Sequence, residues 1–565
     1  MVSLHTHSFY SKLNGTLSIE EIVSHAKVSE SRYAALTDTN GMYGWIQFAG
    51  KAVAEGIKPV FGSVLDDPAD NDLSALFLAK NNEGYSELCR LITSRKLNPE
   101  FNLRETVQRS GENLFIICNS QKLLESIELT IPLRKNLFAE LISSNIQKSK
   151  SRKLYEFARQ KNIQIVATHP AYFARPDDFE LHRVVTAIRE NTTLANLNED
   201  QTADPEFWLQ PAGTLRKTWR NMPEAIWNAE KIAEECNVDL KLGEYKFPSF
   251  PLPYGETSFS YLWKICFRGL EERYQPITDQ AVRRLQYELE VIDELGFCDY
   301  FLVVWDIVRE ARIRNMMNIG RGSAANSLVA YCLGFTQVDP LKHNLYFERF
   351  LNRGRTSPPD VDLDFSWKER DEIVRYVFDK YGYNRVAMIC TNVTFRARSA
   401  FRETAKVFGI PESEISKYSK FIPWTSASNL PVLSEKFPEA KSLKFEQEPW
   451  NHIIRIASRL AGFPRHLSIH PGGIIITEKP ITDYVALEYV SNKGLGLIVT
   501  QPDMYPIEEM GLIKIDLLSQ RSLGVLRDTM HKIKAESGSQ QKPAFNPPIF
   551  ELNVSGGRKS EGDNS

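Results

Sequence analysis

No CxxC spacing occurs among the seven cysteines of this 565-residue chain, and no run of apolar residues is long enough for a membrane-spanning helix. An odd, scattered set of thiols points to reduced cysteines and a cytoplasmic setting rather than a disulfide framework. No basic-then-apolar leader opens the sequence, so export and membrane insertion are not expected. A surplus of charge is missing as well. The 69 Lys and Arg stand against 71 Asp and Glu, a formal net charge of −2. That total argues neither for nor against nucleic acid, because a basic groove can hide in a neutral sum. No internal repeat is found. What is present is ordinary for a globular chain: 42% hydrophobic and 25% charged residues. The length predicts roughly three or four domains.

Up to about residue 240, helical and strand-like segments alternate. LSIEEIVSHAKVSE carries helical periodicity. YAALTD, KPVFG, LSALFLA, NLFIICN and IQIVATH read as short strands. This alternation predicts an α/β layer fold or barrel. YKFPSFPLPYGET, residues 245–257, holds three prolines and reads as a linker. A second α/β region follows, with helices around RRLQYELEVIDEL and FLVVWDIVREARIRN. Residues 395–460 read as mostly helical and basic, and 470–518 as strand-rich. The polar, Gly/Ser-rich tail after about 535 reads as disordered.

The chemistry concentrates in PPDVDLDF, residues 358–365. Asp360, Asp362 and Asp364 alternate with Val361, Leu363 and Phe365. A period of two puts the acids on one face of a strand and the apolar residues on the other. Like charges so close repel unless water or a cation lies among them. On the triplet alone, a solvated strand face or a calcium-binding edge competes evenly with catalysis. Two more stretches enter the balance. IGRGSAANS, residues 319–327, is a Gly-rich turn before the helical run LVAYCLG. Such a turn offers backbone N–H groups and a positive helix end to phosphate. LIKIDLLS, residues 512–519, sets Lys514 and Asp516 on one face of an apolar strand. Alone, that pair reads as a surface ion pair. Strand carboxylates, an anion turn and basic residues together suit phosphoryl transfer with two Mg²⁺ ions.

These blocks resemble the bacterial DNA polymerase III α subunits, the C-family replicative polymerases. LHTHSFYS, ALTDTNGMYG, GFCDYFLVVWDIV, GRGSAANSLVAYCLG, YFERFLN, PPDVDLDF and GLIKIDLLS stand in family order over nearly the whole chain. RARSAFRETAKVFG and GFPRHLSIHPGGIIIT are more similar to the error-prone, damage-associated paralogues. The resemblance implies an α/β multidomain chain. A PHP-type (polymerase and histidinol phosphatase) α/β barrel would span residues 1–244, with a linker over 245–257. A polymerase-β-like nucleotidyltransferase palm would span 258–392 and 472–525, interrupted by a helical thumb over 393–471. The start of the fingers would fall in 526–565. It implies that Asp360, Asp362 and Asp516 bind two Mg²⁺ ions, with Asp364 a further acid of less defined role. It gives Gly322, Ser323, Arg349 and Lys514 to the incoming triphosphate. Arg396, Arg398 and Arg402 would meet duplex phosphates in the thumb, weighed evenly against a solvated helix face. His466 and His470 read as structural, with DNA contact the alternative.

The sequence departs from the family in two places. His5, His7 and Asp38 are present near the start, but Thr39, Val64 and Ser74 stand where further metal ligands are usual, and VATHPAYF also departs. The PHP domain is therefore expected to be a degenerate scaffold with doubtful metal binding. A residual site of His5, His7, Asp38 and His169 is the alternative. The family also continues for several hundred residues beyond the third aspartate. This chain reads as truncated after PPIFELNVSGG, and the clamp-binding segment is expected to be absent. The expected partners are primer–template DNA, deoxynucleoside triphosphates and other replisome subunits. The expected activity is template-directed DNA synthesis, in replication or error-prone repair. The alternatives are an inactive DNA-binding fragment and a metal-dependent 3′–5′ nuclease in the PHP domain.

Overall fold

In the computed structural model, residues 2–354, 358–441, 443, 445–490 and 496–537 are described. The sequence-predicted tail with PPIFELNVSGG lies outside them, while 521–537 form a helix. The chain divides into two compact units. One comprises residues 1–242, 390–469 and 482–510; the other comprises 243–389, 470–481 and 511–565.

In the first unit, helix and strand starts follow local chemistry. The helix Ile19–Val28 begins at Ser18, whose hydroxyl accepts from Glu21 N–H, while the Glu21 carboxylate accepts from Ser18 N–H. Six strands follow: β1 (Tyr33–Leu36), β2 (Lys58–Asp67), β3 (Asp70–Ala79), β4 (Leu114–Cys118), β5 (Leu137–Ile142) and β6 (Gln164–Thr168). They form one sheet in chain order, antiparallel across β2–β3–β4 and parallel elsewhere. The N-terminal segment joins its two ends. Thr37 N–H donates to the Thr6 carbonyl, and His7 N–H donates to the Ala171 carbonyl just beyond β6. These bonds give backbone groups beside both edge strands of the curled sheet a partner within the chain. The sequence reading assigns no strand to Leu137–Ile142. All six residues of β5 are buried, so no alternation exists for a pattern to detect.

Residues 390–469 add helices to the same unit. Phe401 and Ile453 from these helices share a core with Leu181, Val184 and Val185 of the helix Phe179–Arg189. Arg459 pairs with buried Asp178 at 2.5 Å, and His452 with Glu180 at 2.7 Å.

In the second unit, β7 (Asn318–Arg321) and β8 (Asp362–Ser366) pair antiparallel. Two strands carry the chain between units: β9 (Val386–Thr394) and β10 (Pro464–Ile476). In the first unit β11 (Leu487–Tyr489) pairs antiparallel with β12 (Ile498–Asp503). The last strand, β13 (Lys514–Gln520), pairs parallel with β8 and antiparallel with β10. Helices 258–273, 279–294 and 298–313 pack together and bury Leu262, Leu285 and Phe301. The α/β, multidomain class expected from the sequence is what the chain adopts. All seven cysteines are buried and unpaired. Among the described residues, no helix is long and apolar enough to cross a membrane.

Candidate active site

The alternation in PPDVDLDF becomes strand β8 and the residues before it. Val361, Leu363 and Phe365 are at most 1% exposed and anchor one face. Tyr300 fixes the approach, its hydroxyl donating to the Pro359 carbonyl at 3.1 Å. Parallel pairing with β13 then sets Asp516 directly beside Asp362. Among the described residues, the one group of three His, Cys, Asp or Glu side chains whose ligand atoms lie within 4.8 Å of one another is Asp360, Asp362 and Asp516.

Three carboxylates so close are costly by themselves. Burial raises the Asp362 pKa, and the charges of Asp360 and Asp516 raise it further, against the pull of Arg321 and Lys514. Asp516 is buried. Its Oδ2 accepts from Lys514 Nζ at 2.8 Å, while its Oδ1 has no hydrogen-bond partner among the described residues. His470 Nδ1 lies 3.7 Å from that oxygen, but it already accepts from Gly473 N–H at 2.7 Å. It cannot donate to Asp516 from that nitrogen, and burial lowers the imidazole pKa. An unpartnered oxygen among three converging carboxylates fits a hard divalent cation.

Asp364 takes a separate place. It is buried, bonded to Arg321 Nε at 2.7 Å, and the Gln520 side chain also stabilises its carboxylate. Arg321 is the Cα partner of Asp362 on β7 but reaches diagonally to Asp364. Two positioning contacts were not legible in sequence. Arg370 donates to the Leu517 carbonyl at 2.8 Å and to the Pro471 carbonyl at 3.1 Å, which ties β13 to β10. Periodicity marks such an arginine only as a charge on a helix.

The turn after β7 also departs from expectation. Gly322–Asn326 form a 3-10 segment, and the helix Leu328–Leu333 starts only afterwards. That helix does not present its positive end to solvent. Buried Glu288 takes Val329 N–H at 3.0 Å and the Ser327 hydroxyl at 2.7 Å. Any anion therefore meets the turn itself, where Gly322 is exposed and Ser323 half-buried. Exposed Arg349 closes the short helix Phe347–Arg349, which packs against this turn.

The three arginines predicted to bind duplex phosphates separate. Arg398 donates twice to the Ile422 carbonyl, at 3.2 and 2.7 Å. Arg402 bonds Glu412 and the Ser419 hydroxyl. Arg396 instead lies 5.0 Å over the ring of Trp424, which is 83% exposed. His466 lies in the β10 segment beside Arg465.

The residual PHP set sits in the first unit as a closed polar chain. His5 Nδ1 meets Glu140 at 2.7 Å and its Nε2 meets His7 Nε2 at 3.0 Å. His7 Nδ1 meets the Ser11 hydroxyl at 3.1 Å. Asp38 accepts from Ser8 N–H, the Ser8 hydroxyl and the Ser11 hydroxyl. Burial pushes Asp38 up to about 6 against those donors. His169 faces the Trp208 carbonyl at 3.1 Å. These ligand-type atoms bond to one another and to Glu140, Ser8 and Ser11, and Thr39, Val64 and Ser74 add no further imidazole or carboxylate to the set. Glu140, the sole charge in buried β5, was the member the sequence reading missed.

Residues 260–519 match the family described as the bacterial DNA polymerase III alpha NTPase domain, and residues 3–152 match the PHP domain. The chain is 34% identical to DNA polymerase III subunit alpha of Bacillus subtilis, over 95% of this chain and 50% of the relative. It is 34% identical to the protein of that name from Halalkalibacterium halodurans, over 98% and 52%. It is 31% identical to the error-prone DNA polymerase of Symbiobacterium thermophilum, over 98% and 54%. The chain spans about half the length of the curated relatives it matches.

Proposed function

From a chain that belongs to the bacterial DNA polymerase III alpha family, we propose template-directed DNA synthesis: a primer 3′-hydroxyl attacks the α-phosphate of a deoxynucleoside triphosphate, and pyrophosphate leaves. The observation that supports it most is the convergence of Asp360, Asp362 and Asp516 around an oxygen without a partner. These three would hold Mg²⁺. Bound there, the metal supplies charge stabilisation to the attacking and leaving oxygens.

The chain's own residues would do the positioning. Strand pairing fixes the backbone of Asp362 on β8 against that of Asp516 on β13, so these two carboxylates would need little reorganisation. Lys514 would shift between Asp516 and a phosphate oxygen, its charge serving either. The Gly322–Ser323 turn and Arg349 lie together and would cradle the triphosphate. In the thumb, Arg396 would meet DNA phosphate directly. Arg398 and Arg402 would act by holding the 412–422 segment in place. Thr39, Val64 and Ser74, which supply no imidazole or carboxylate beside His5, His7 and Asp38, disfavour a nuclease in the PHP domain.

Primer extension on a primed template with Mg²⁺ and four deoxynucleotides tests the reading, with Asp362→Ala alongside. Extension by the parent and loss of at least about a hundredfold in the variant is expected. Equal extension by both would remove these carboxylates from the chemistry. DNA binding without extension by the parent would leave a DNA-binding fragment.

A further inference from the structure

At the end of β5, in the first unit, the chain turns through Ser143–Gln147 and enters the helix Lys148–Lys161. A half-open cavity of about 250 Å³ lies between that turn and the segment Thr218–Met222. Its apolar lining includes Leu141, Ile142, Trp219 and Met222. Trp219 is only 7% exposed, yet its indole N–H has no acceptor among the described residues. A buried N–H without an acceptor costs about 1–3 kcal/mol.

The rim is cationic. Lys148 and Arg152 line it, both exposed, and Lys150 stands in the same first turns. A helix start ordinarily attracts acids, because its free N–H groups carry partial positive charge. This helix has none in its first turn, and Gln147 gives it no side-chain cap. Of the nearby acids, Asp204 accepts from the Ser144 hydroxyl and Glu206 from Asn145 N–H, while Glu156 pairs with Arg152 Nε at 3.2 Å, an exposed pair that a phosphate would have to displace. The Ser151 hydroxyl bonds both N–H and C=O of Ile142, which locks the first turn onto the strand end. The site is therefore preformed: an apolar slot with an anion-seeking mouth.

We propose that this cavity binds a nucleoside 5′-phosphate, as a free mononucleotide or as the 5′ end of a strand. The base stacks on Trp219, and Ser143 and Asn221 supply hydrogen bonds to its edge. The phosphate meets Lys148, Arg152 and the start of the helix. An aliphatic anion would leave the amide and hydroxyl groups of the slot unanswered, and a neutral ring would leave the cations so. The site belongs to the first unit and uses none of the three aspartates.

The test is titration calorimetry of the whole chain in EDTA. The probes are deoxyadenosine 5′-monophosphate, deoxyadenosine, and a 5′-phosphorylated single-stranded oligonucleotide. The monophosphate is expected to saturate and deoxyadenosine to bind about tenfold more weakly. The double variant Lys148→Ala/Arg152→Ala should lose about tenfold, and Thr218→Trp, which fills the mouth, should abolish binding. Asp362→Ala should change nothing, which separates this site from polymerase chemistry. Saturation by the oligonucleotide alone assigns the site to strand ends. No saturation by either phosphate probe overturns the proposal. So does unchanged affinity in both cavity variants, if each melts as the parent does. So does tighter competition by a glutamate-rich peptide carrying one phenylalanine.

Discussion

Asp362 sets stability against chemistry. Its pKa is raised by burial and by Asp360 and Asp516. The folded state therefore favours the protonated acid. Its contribution to stability is present at low pH and is lost as pH rises through the raised value. At neutral pH, a divalent cation should relieve the repulsion. Mg²⁺ is expected to raise the melting temperature above that in EDTA, and Asp362→Asn to raise the EDTA value and shrink the Mg²⁺ effect. Scanning calorimetry with and without Mg²⁺ reads both; a Mg²⁺ shift of full size in the variant would contradict the assignment. His182 gives the opposite pH dependence. Its Nδ1–H donates to the Asn14 carbonyl, and its Nε2 accepts from Ala203 N–H. Burial holds its pKa at about 4, below the ordinary 6.5. Stability from this group is full above 6.5 and falls as pH drops toward 4, by about 3 kcal/mol at most. Melting between pH 7 and 4 should be flatter in His182→Gln, whose parent-like stability at pH 7 is not required. At this scale the sequence disclosed the spacing of Asp360, Asp362 and Asp364 but not their division of labour. Asp364 turns to Arg321, a diagonal contact that no local pattern encodes.

Strands and turns were more legible than the way they meet. Alternation marked β8, and apolar runs marked β2, β3, β4 and β6. The parallel pairing that brings Asp516 to Asp362 spans more than a hundred residues and leaves no periodic trace. Two glycines two positions apart show how the turn after β7 is made. A Cβ on Gly320 would lie 2.3 Å from the Phe335 carbonyl oxygen, whose backbone cannot yield cheaply. Gly322 has open space around it but a φ of +68°. Gly320→Ala is expected to destabilise the second unit by about 2–3 kcal/mol. Gly322→Ala should cost about 1 kcal/mol through its backbone. Chemical denaturation of the two variants checks the order, and equal effects would refute this account of the turn.

The two units are threaded through one another in sequence. The chain passes between them after residues 242, 389, 469, 481 and 510. Composition exposed one such passage, where the proline-rich 245–257 follows the first crossing. The later ones fall within or near strands such as β9 and β10, whose residues read alike on both sides of the boundary. Residues 1–242 made alone would lack the helices that cover Leu181, Val184 and Val185. That fragment is expected to melt well below the whole chain or to aggregate, by light scattering and calorimetry; a soluble fragment with the parent's melting temperature would show those helices to be dispensable.

Threading also imposes an order on synthesis. As the ribosome delivers the chain from its N-terminus, the first unit waits for residues 482–510 and the second for β13. Asp516 thus emerges after every residue of the first unit. A nascent chain carries Asp360 and Asp362 for some 150 residues of translation before the carboxylate that completes their set exists, so the site cannot assemble on a half-made protein.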